Sequence, residues 1–401
     1  MPIEKPVIIA GAGPVGCTAA LYLAQRGIPV MLLEGDAELP QTLRASTWHP
    51  PTMDMMQELG IAQAIIDQGL IADRYQYRDR RTGAIAEFDL GLLQGETRHP
   101  YRVQTEQWRM TGIVWDKLQS DYPNVECLFD HTVKGVHESR DGVEVLVWTS
   151  KGERIVQGSF LLGSDGADSS VRKATAISFE GFTYPEKFLV ASTPFPLETK
   201  FERLSLVNYI ADPNEWLVLL KTTSLWRVLI PTDPNNLDDS LFLSDAWIQD
   251  RLQHMAPHAE PYEIDHRTLY RVHQRVAKTY RRGRVLIAGD AAHINNPLGG
   301  MGMNGGIHDA YNLAGRLTRI HEGADIDAEL DLYDKQRRLI CMNVVQEHTI
   351  NNKKLMEAKD PEIQRKRQDD LMRTAADPEL AHAFLLKTSM IQSLRDAAKI
   401  H

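Results

Sequence analysis

The stretch Pro6-Val-Ile-Ile-Ala10, followed by Gly11-Ala-Gly-Pro-Val-Gly16, decides the fold of this chain. The first five residues form a continuous apolar run, which is typical of a strand buried inside a parallel sheet. After the glycine-rich turn, residues 17–26 carry small and apolar side chains at helical spacing, and residues 29–34 have the pattern of a second strand. This order predicts one β-α-β unit.

The three glycines of the turn have separable physical roles. Gly11 permits the tight turn, Gly13 lets the backbone approach a pyrophosphate, and Gly16 lets the helix pack close to the sheet. The helix N-terminus offers free N–H groups to phosphate. Glu34, at the end of the second strand, can accept hydrogen bonds from both ribose hydroxyls and repels a 2′-phosphate, which favours FAD or NAD over NADP. The residues predicted to contact the dinucleotide are Gly11, Gly13, Pro14, Val15, Gly16 and Glu34.

A second buried strand is predicted at residues 284–288, and Asp290 follows its carboxyl end. Ligands of doubly wound sheets lie at that edge. The glycine-dense loop 297–306 allows close backbone approach, and a helix is predicted to start near Met303. The N-terminus of such a helix stabilises negative charge, as a reduced flavin carries.

These segments together resemble the FAD-dependent aromatic hydroxylases, the group A flavoprotein monooxygenases with the para-hydroxybenzoate hydroxylase fold. The resemblance spans about residues 5–340, with the motifs in order. One small departure is Met301, where many members have Gln. The segments are the glycine turn with Glu34, Gly163-Ser-Asp165-Gly166 through Arg172, Gly289-Asp290-Ala-Ala-His293 with Pro297 to Asn304, the Arg44-Ala-Ser stretch, and Leu332-Tyr-Asp through Arg337.

The resemblance also implies roles for individual residues. Glu34 would hold the adenosine ribose, Asp290 the ribityl chain, and Arg44 the pyrophosphate or ribose. Gln104 would contact the flavin side, and Asp165 would lie near the pyrophosphate and the approach of the nicotinamide nucleotide. The residues expected to line the isoalloxazine are Pro297, Gly300, Gly302, Met303 and Asn304.

The activity implied by the resemblance is that of a single-component monooxygenase. NAD(P)H, bound transiently, would reduce a tight, non-covalent FAD, and O2 would then give a flavin C4a-hydroperoxide. The expected substrate is a small aromatic or heteroaromatic ring that carries a hydroxyl group, with or without a carboxylate. The choice between NADH and NADPH, the substrate's identity and the regiochemistry stay open.

The group that activates the substrate is also left open. The candidates are Arg227, Tyr209, Pro297 and His49, and each has an ordinary structural interpretation as well. The planar guanidinium of Arg227, with its paired N–H donors, would suit a substrate carboxylate. His49 would contact substrate or flavin.

The predicted architecture is α/β: a Rossmann-like FAD-binding domain, an inserted substrate domain built on a mixed or antiparallel β-sheet, and a helical C-terminus. The alternating stretch 125–162 is interpreted as antiparallel hairpins. The expected division is 1–75, 100–180 and 281–340 for the FAD-binding domain, 76–99 and 181–280 for the substrate domain, and 341–401 for the helical segment.

Composition excludes several classes of protein. Of 401 residues, 43% are hydrophobic and 25% charged, which is close to a globular average and argues against global disorder. A formal net charge of −9 argues against a dedicated nucleic-acid binder. No apolar run is long enough for a transmembrane helix, and the start of the chain is not that of a signal peptide. Three scattered cysteines predict neither a disulfide framework nor a zinc site, and a cytoplasmic monomer or homodimer is expected.

Other functions on the same fold stay possible at this stage. A flavin-dependent reductase, an N-hydroxylating oxygenase and a non-catalytic FAD-binding scaffold all fit the motifs. A halogenase is disfavoured, because Trp226-Arg-Val228 lacks the second tryptophan of the corresponding halogenase motif.

Overall fold

A computed structural model of the chain describes residues 3–41, 43–212 and 215–401. The strands in these ranges are β1 Val7–Ala10, β2 Val30–Leu33, β3 Thr47–Trp48, β4 Leu70–Ala72, β5 Arg74–Asp79, β6 Gly83–Asp89, β7 Arg102–Gln104, β8 Val125–Leu128, β9 Thr132–Ser139, β10 Gly142–Thr149, β11 Gly152–Gly158, β12 Phe160–Gly163, β13 Phe179–Thr193, β14 Val207–Ala211, β15 Leu217–Lys221, β16 Trp226–Pro231, β17 His266–Ala277, β18 Arg281–Arg282, β19 Val285–Ile287 and β20 His293–Ile294.

The helices lie mainly in the first and last thirds of the chain, and a π-helical turn, Cys341–Gln346, joins two of them. They are α1 Pro14–Ala24, α2 Pro50–Glu58, α3 Ala62–Ile66, α4 Gln107–Asp121, α5 Ser170–Ala174, α6 Asp239–Phe242, α7 Asp245–Met255, α8 Met301–His321, α9 Ile326–Ile340, α10 Glu347–Met356, α11 Pro361–Ala376, α12 Pro378–Thr388 and α13 Ile391–Ala398.

The predicted β-α-β unit is the centre of a six-stranded sheet in the order β18-β19-β12-β1-β2-β8. The strands β8, β2, β1, β12 and β19 are parallel to their neighbours, and only β18 is antiparallel. Every residue of β1 is buried, which explains its continuous apolar sequence. The expected strand at 284–288 is therefore confirmed as a parallel strand beside β12.

The second large sheet has eight strands in the order β20-β17-β13-β16-β15-β14-β5-β6. Its pairs are antiparallel except for β14 and β5. The expected mixed α/β architecture, with a mixed sheet and a helical C-terminus, is confirmed. The domain boundaries given above stay a prediction.

The interpretation of residues 125–162 as hairpins was wrong at both ends. Only β9, β10 and β11 form an antiparallel sheet. The flanking strands β8 and β12 join the parallel sheet instead, and all four residues of β12 are buried between β1 and β19. Burial on both faces is typical of a strand inside a parallel sheet, as β12 is. Counting the alternation of apolar and polar residues does not detect such burial.

The C-terminal helices pack against the eight-stranded sheet. Met356, Leu385 and Ile391 share a hydrophobic core with Tyr75 and Phe88 of β5 and β6. This segment is therefore part of the layer formed by the eight-stranded sheet. Among the residues described, no helix is long and apolar enough to cross a membrane, and all three cysteines are unpaired.

Candidate functional site

The glycine-rich turn and Glu34 lie together, as the fingerprint requires. Gly11 has φ +97°, which disfavours a side chain, and a Cβ on Gly16 would lie 1.9 Å from the Gly11 carbonyl oxygen. A Cβ on Gly13 would meet no atom within 4 Å, so space is open in front of the helix. Glu34 Oε2 accepts a hydrogen bond from the Ala12 N–H at 2.8 Å.

The helix α1 begins without a side-chain cap. Gly13 occupies the N-cap position, Pro14 is in the first turn, and the first turn carries no acidic residue. Its free N–H groups are therefore available to an anion. Val15 has a packing role, because its side chain meets Gly289 and Gly306 of the opposite segment.

Arg44 and Asp290 meet at the same site from distant parts of the chain. The Asp290 side chain is solvent-accessible, but protein surrounds it on most sides, and this desolvation raises its pKa. The charges of His293 and Arg44 act in the opposite direction on the same pKa. Within the described ranges the Asp290 carboxylate has no hydrogen-bond partner, so it is free to accept one from a ligand.

The loop before α8 turns sharply and leaves the helix N-terminus open. Gly299 and Gly300 have φ values of +107° and +67°, and Gly300 is an N-cap without a side-chain hydrogen bond. The helix begins at Met301, two residues before the expected position, because Gly300 adopts the left-handed conformation that ends the loop. The half-buried Pro297, Gly302 and Met303 lie at this edge.

Both polar atoms of the Asn304 side chain are hydrogen bonded to the protein backbone. Its Oδ1 accepts from the His49 N–H at 2.9 Å, and its Nδ2 donates to the carbonyls of Thr47 and Gly300 at 2.9 and 2.7 Å. Asn304 therefore ties β3 and His49 to the start of α8, and its side chain has no free group for a cofactor.

The motif that begins at Gly163 organises the neighbouring turn. Asp165 accepts from Ser169 Oγ and from the Val171 N–H, at 2.5 and 3.1 Å, so both of its oxygens are engaged in this turn. Arg172 Nη1 donates to the Ala291 carbonyl at 2.8 Å. The motif thus braces the segment that carries Asp290.

A largely buried polar cluster lies beside the loop that precedes α8. It consists of His49, Tyr75, Arg102, Gln104 and His348, and is called the polar cluster below. Burial is the larger cause of the pKa shifts of His49, Tyr75 and His348, and the charge of Arg102 also acts on all three pKa values, so these residues lie near Arg102.

His49 is fully buried, and its two ring nitrogens differ in their surroundings. Nε2 lies 2.9 Å from the Gly299 carbonyl oxygen, whereas Nδ1 has no partner in the described part of the chain. Burial and the Arg102 charge hold the pKa of His49 well below its usual value. A carbonyl only accepts, so Nε2 carries the hydrogen of the neutral ring and Nδ1 presents a lone pair.

Arg102 is a buried cation without an acidic partner among the described residues. It is 1% exposed, and Nε and Nη1 donate to no group there. Its guanidinium carbon lies 4.3 Å from the ring centroid of Tyr75. An unpaired buried charge is costly, so this arrangement calls for an anionic ligand.

Gln104 lies two residues further along β7, on the same face as Arg102. Its Oε1 accepts from Thr47 Oγ1 at 3.0 Å, and its buried Nε2 has no partner in the described ranges. The Tyr75 hydroxyl lies 3.0 Å from Thr388 Oγ1, which connects the cluster to α12. Burial raises the pKa of Tyr75 to about 12.

The other catalytic candidates lie in different surroundings. Arg227 donates from Nη1 to the Arg44 carbonyl and Ser46 Oγ, and from Nη2 to the Leu43 carbonyl at 2.8 Å. Its terminal nitrogens are thus bound to the segment that carries Arg44, whereas the buried Nε has no partner in the described ranges. Tyr209 stacks on Tyr77 at 5.3 Å between ring centroids.

His293 hydrogen bonds to Asp309 rather than facing a ligand. Its Nε2 lies 2.7 Å from Asp309 Oδ2, and Asp309 Oδ1 accepts from Arg337 Nε at 2.7 Å. Two cationic partners lower the pKa of Asp309 to about 2 even though burial opposes this. The three side chains fix β20 and α9 against α8.

The residues present fit a bound FAD. The uncapped start of α1, the free carboxylate of Asp290 and the orphaned donor of Gln104 are the groups that a phosphate, a polyol and a polar ring edge would require. Sequence reasoning had not singled out Arg102, Tyr75 or His348. Arg102 could have been found, because it shares the β7 face with Gln104.

Comparison with known proteins identifies the class. The family model described as "FAD binding domain" matches residues 4–348, and the chain belongs to this family. The chain is an FAD-dependent monooxygenase of the aromatic hydroxylase class.

Particular relatives match over nearly the whole chain. The para-nitrophenol 4-monooxygenase of Pseudomonas sp. (strain WBC-3) is 33% identical over 97% of this chain and 96% of that protein. The 6-hydroxy-3-succinoylpyridine 3-monooxygenase of Pseudomonas putida (strain DSM 28022 / S16) is 31% identical over 88% and 89%. The crystal structure of p-nitrophenol 4-monooxygenase from Pseudomonas putida DLL-E4 aligns with a TM-score of 0.91 at 29% identity, covering 98% and 99%.

Proposed function

We propose that this enzyme hydroxylates a phenolic ring, using NAD(P)H and O2 as co-substrates. The observation that carries the proposal is the polar cluster, which presents an unpaired buried cation and an unpaired histidine lone pair beside the loop before α8. A phenol supplies the complementary groups, a proton to donate and an oxygen that can become an anion. The names of the two relatives support a hydroxylated aromatic or heteroaromatic ring.

The proposed cofactor site extends from the glycine turn to the start of α8. Glu34 would bind the adenosine ribose, the N–H groups of α1 the pyrophosphate, and Asp290 the ribityl hydroxyls. Arg44 would offset phosphate charge near Asp290. When bound, FAD supplies redox chemistry, because it takes a hydride from NAD(P)H and activates O2.

The remaining residues of the site orient groups and exclude water. Gln104 Nε2 would donate to the flavin edge. The Gly299–Gly300 turn and the open N-terminus of α8 would stabilise negative charge on the reduced ring. The buried side chains of the polar cluster would keep bulk water from the reacting centre.

The proposal is tested by the visible spectrum and by cofactor consumption. The purified protein should be yellow, and its oxidation of NADH or NADPH should rise with one phenol from a panel. A colourless protein that cannot be reconstituted with FAD would overturn the cofactor assignment. NAD(P)H oxidation that yields hydrogen peroxide but no hydroxylated product would favour a reductase, and an inert yellow protein would favour a binding role.

The cellular setting and division into domains are also proposals. A cytoplasmic enzyme is favoured by the unpaired thiols and by the need for NAD(P)H. We propose that the FAD-binding domain consists of residues 1–75, 100–180 and 281–340, because these ranges contain the strands of the parallel sheet. A monomer and a homodimer are separable by light scattering.

A further inference from the structure

Resting on the proposed function, we propose that Asn296 is a positioning residue: it anchors the loop before α8 to α10 and thereby sets what share of the consumed NAD(P)H ends in hydroxylation rather than in hydrogen peroxide. The loop consists of residues 295–300, between β20 and α8. It contains Pro297 and Gly300, which are expected to line the isoalloxazine. Asn296 itself is fully buried, so it would act through the loop and not by contact with the substrate.

The loop has little regular structure of its own, and side chains hold it at both ends. Gly299 and Gly300 adopt φ values of +107° and +67°, and glycine is the residue with the widest conformational freedom. At the C-terminal end, His49 Nε2 lies 2.9 Å from the Gly299 carbonyl oxygen, and Asn304 Nδ2 donates to the Gly300 carbonyl at 2.7 Å. At the N-terminal end, the loop is held by Asn296.

The hydrogen bonds of Asn296 connect the loop to two other elements. Its Oδ1 accepts from the Leu298 N–H at 3.1 Å, inside the loop. Its Nδ2 donates to the Thr349 carbonyl of α10 at 2.9 Å, and its own N–H donates to Gln274 Oε1 of β17 at 3.0 Å. Leu298 is buried, so loss of Oδ1 would leave its N–H unpaired among the described residues, which is costly.

The partners of Asn296 belong to a buried polar network, called the loop anchor below, which consists of Gln274, Asn296, Gln346 and Thr349. Gln274 Nε2 donates to Thr349 Oγ1 at 2.9 Å, and Gln346 Nε2 of the π-helical turn donates to the Ile294 carbonyl of β20 at 3.1 Å. All four residues of the loop anchor are buried. Buried polar groups are costly unless they are paired, and a paired network fixes one geometry.

The helix α10 is a firm support for the loop anchor, because an ion pair ties it to the eight-stranded sheet. Lys353 Nζ of α10 lies 2.7 Å from Glu186 Oε1 of β13, and the two side chains are only 6% and 10% exposed. Separating the partners of a buried ion pair is strongly unfavourable, so α10 stays on the sheet. The bond from Asn296 to Thr349 therefore fixes the loop relative to the sheet.

The two outcomes of turnover differ in where the oxygen goes. In hydroxylation, NAD(P)H, a proton, O2 and the aromatic substrate give NAD(P)+, water and a product in which one oxygen atom is bonded to a ring carbon. In the unproductive reaction, NAD(P)H, a proton and O2 give NAD(P)+ and hydrogen peroxide. Water in a reacting site favours such side reactions. A loop released from Asn296 would admit water beside the proposed flavin site and raise the share of peroxide.

The first test follows the loop in the apoprotein, without turnover. Hydrogen–deuterium exchange is measured by mass spectrometry in peptides that cover residues 294–303. Asn296→Ala should speed exchange of this segment at least about tenfold, because both the acceptor for Leu298 and the bond to Thr349 are lost. Asn296→Asp keeps the acceptor but cannot donate to Thr349, so it should speed exchange by a smaller factor. Unchanged exchange in Asn296→Ala would overturn the anchoring role.

The second test measures the partition of turnover in the holoenzyme. Hydroxylated product and hydrogen peroxide are quantified for each NAD(P)H consumed with an active phenol. Asn296→Ala and Asn296→Asp should each raise the peroxide share at least about threefold, while the affinity for FAD changes less than about twofold. A merely structural role would lower the amount of folded, FAD-loaded enzyme and leave the partition of each turnover unchanged.

A second site and a matched control keep the test decisive. Thr349→Val removes the hydroxyl that accepts from Gln274 with little change in shape, and should also raise the peroxide share if Asn296→Ala does not fold. Asn124→Ala is the control, because Asn124 Nδ2 donates to the Ala24 and Ile28 carbonyls at 3.2 and 2.9 Å, at the end of α1 opposite the glycine turn. It should change neither the exchange of residues 294–303 nor the partition.

The outcomes distinguish this inference from the proposed function. An unchanged peroxide share in Asn296→Ala and Thr349→Val, with hydroxylation intact, overturns the positioning role and leaves the proposed function standing. If the unaltered enzyme forms only peroxide with every compound, the proposed function fails and the effect on partition fails with it. The exchange of residues 294–303 upholds or overturns the loop anchor in either case.

Discussion

Arg227 illustrates how a polar side chain of the eight-stranded sheet can hold a loop that is distant in sequence. It lies on β16, but its terminal nitrogens bind the backbone carbonyls of Leu43 and Arg44 and the Ser46 hydroxyl. The sequence shows an arginine whose guanidinium could bind a carboxylate. It does not show that this guanidinium binds a loop distant in sequence. The side chain is 6% exposed, so these contacts are desolvated.

Substitution of Arg227 should weaken FAD binding more than substrate binding. Arg227→Gln loses charged hydrogen bonds that hold the segment carrying Arg44. We expect the Kd for FAD to rise about tenfold, or about 1.4 kcal/mol, with little change in KM for the phenol. FAD fluorescence titration measures this, and Arg271→Gln, an exposed residue of β17, is the control. A raised KM with unchanged FAD affinity would contradict this role.

The Asp309 carboxylate should contribute pH-dependent stability. Its pKa is about 2 in the folded protein against 3.8 as the reference value. A lowered pKa means that the stabilisation is present above about pH 4 and is lost as the pH falls towards 2. Asp309→Asn should lower the free energy of unfolding by about 3 kcal/mol at neutral pH and remove most of its dependence on pH below about pH 4. Urea unfolding at several pH values measures both effects.

A matched substitution is available for the Asp309 experiment. Asp331→Asn removes a mostly exposed carboxylate of α9 that is paired with Arg281 of β18. Its effect on unfolding free energy should stay within about 0.5 kcal/mol. Equal losses in the two variants would show that burial of the Asp309 pair is not the cause.

At the scale of elements, two glycines of one turn should respond differently to the same substitution. A methyl group on Gly16 would collide with the Gly11 carbonyl, whereas one on Gly13 would enter open space. Gly16→Ala should lower the stability of the apoprotein by about 1–3 kcal/mol. Gly13→Ala should leave apoprotein stability unchanged and weaken FAD binding. Similar melting temperatures for both apoproteins would contradict the packing argument.

The C-terminal helices should behave as part of the hydrophobic core of the eight-stranded sheet. Leu385 of α12 is fully buried, whereas Leu380 of the same helix is 43% exposed. Leu385→Ala should therefore cost about 2–5 kcal/mol, and Leu380→Ala much less. Chemical denaturation followed by tryptophan fluorescence measures both. Equal small effects would show that α12 is dispensable to the core.

The elements also show where sequence reasoning succeeds. The glycine turn, β1, β2 and α8 could be predicted because each has a local pattern tied to its burial or its turn. The antiparallel interpretation of β8 and β12 was wrong because strand pairing depends on distant neighbours. The helical content after residue 307 was predicted, but its contact with Tyr75 was not, because no local pattern encodes it.

At the scale of the whole molecule, the site is assembled from the full length of the chain. Glu34, Arg102, Asp290 and His348 come from four separate regions, and the fold brings each to the proposed cofactor site or to the polar cluster. Motifs with a fixed spacing, such as those of Glu34 and Asp290, could be recognised in sequence. Arg102 and His348 have no such motif. The burial and unpartnered nitrogens of Arg102 reveal the first, and the effect of the Arg102 charge on its pKa reveals the second.

The most direct test of the account is turnover in labelled oxygen. The purified holoenzyme would be supplied with NAD(P)H, 4-nitrophenol or another active phenol, and 18O2, and the product analysed by mass spectrometry. The account predicts one 18O atom in the aromatic product for each NAD(P)H consumed in a coupled turnover. A hydroxylated product whose new oxygen comes from water, or NAD(P)H oxidation that never places label in a product, would contradict it.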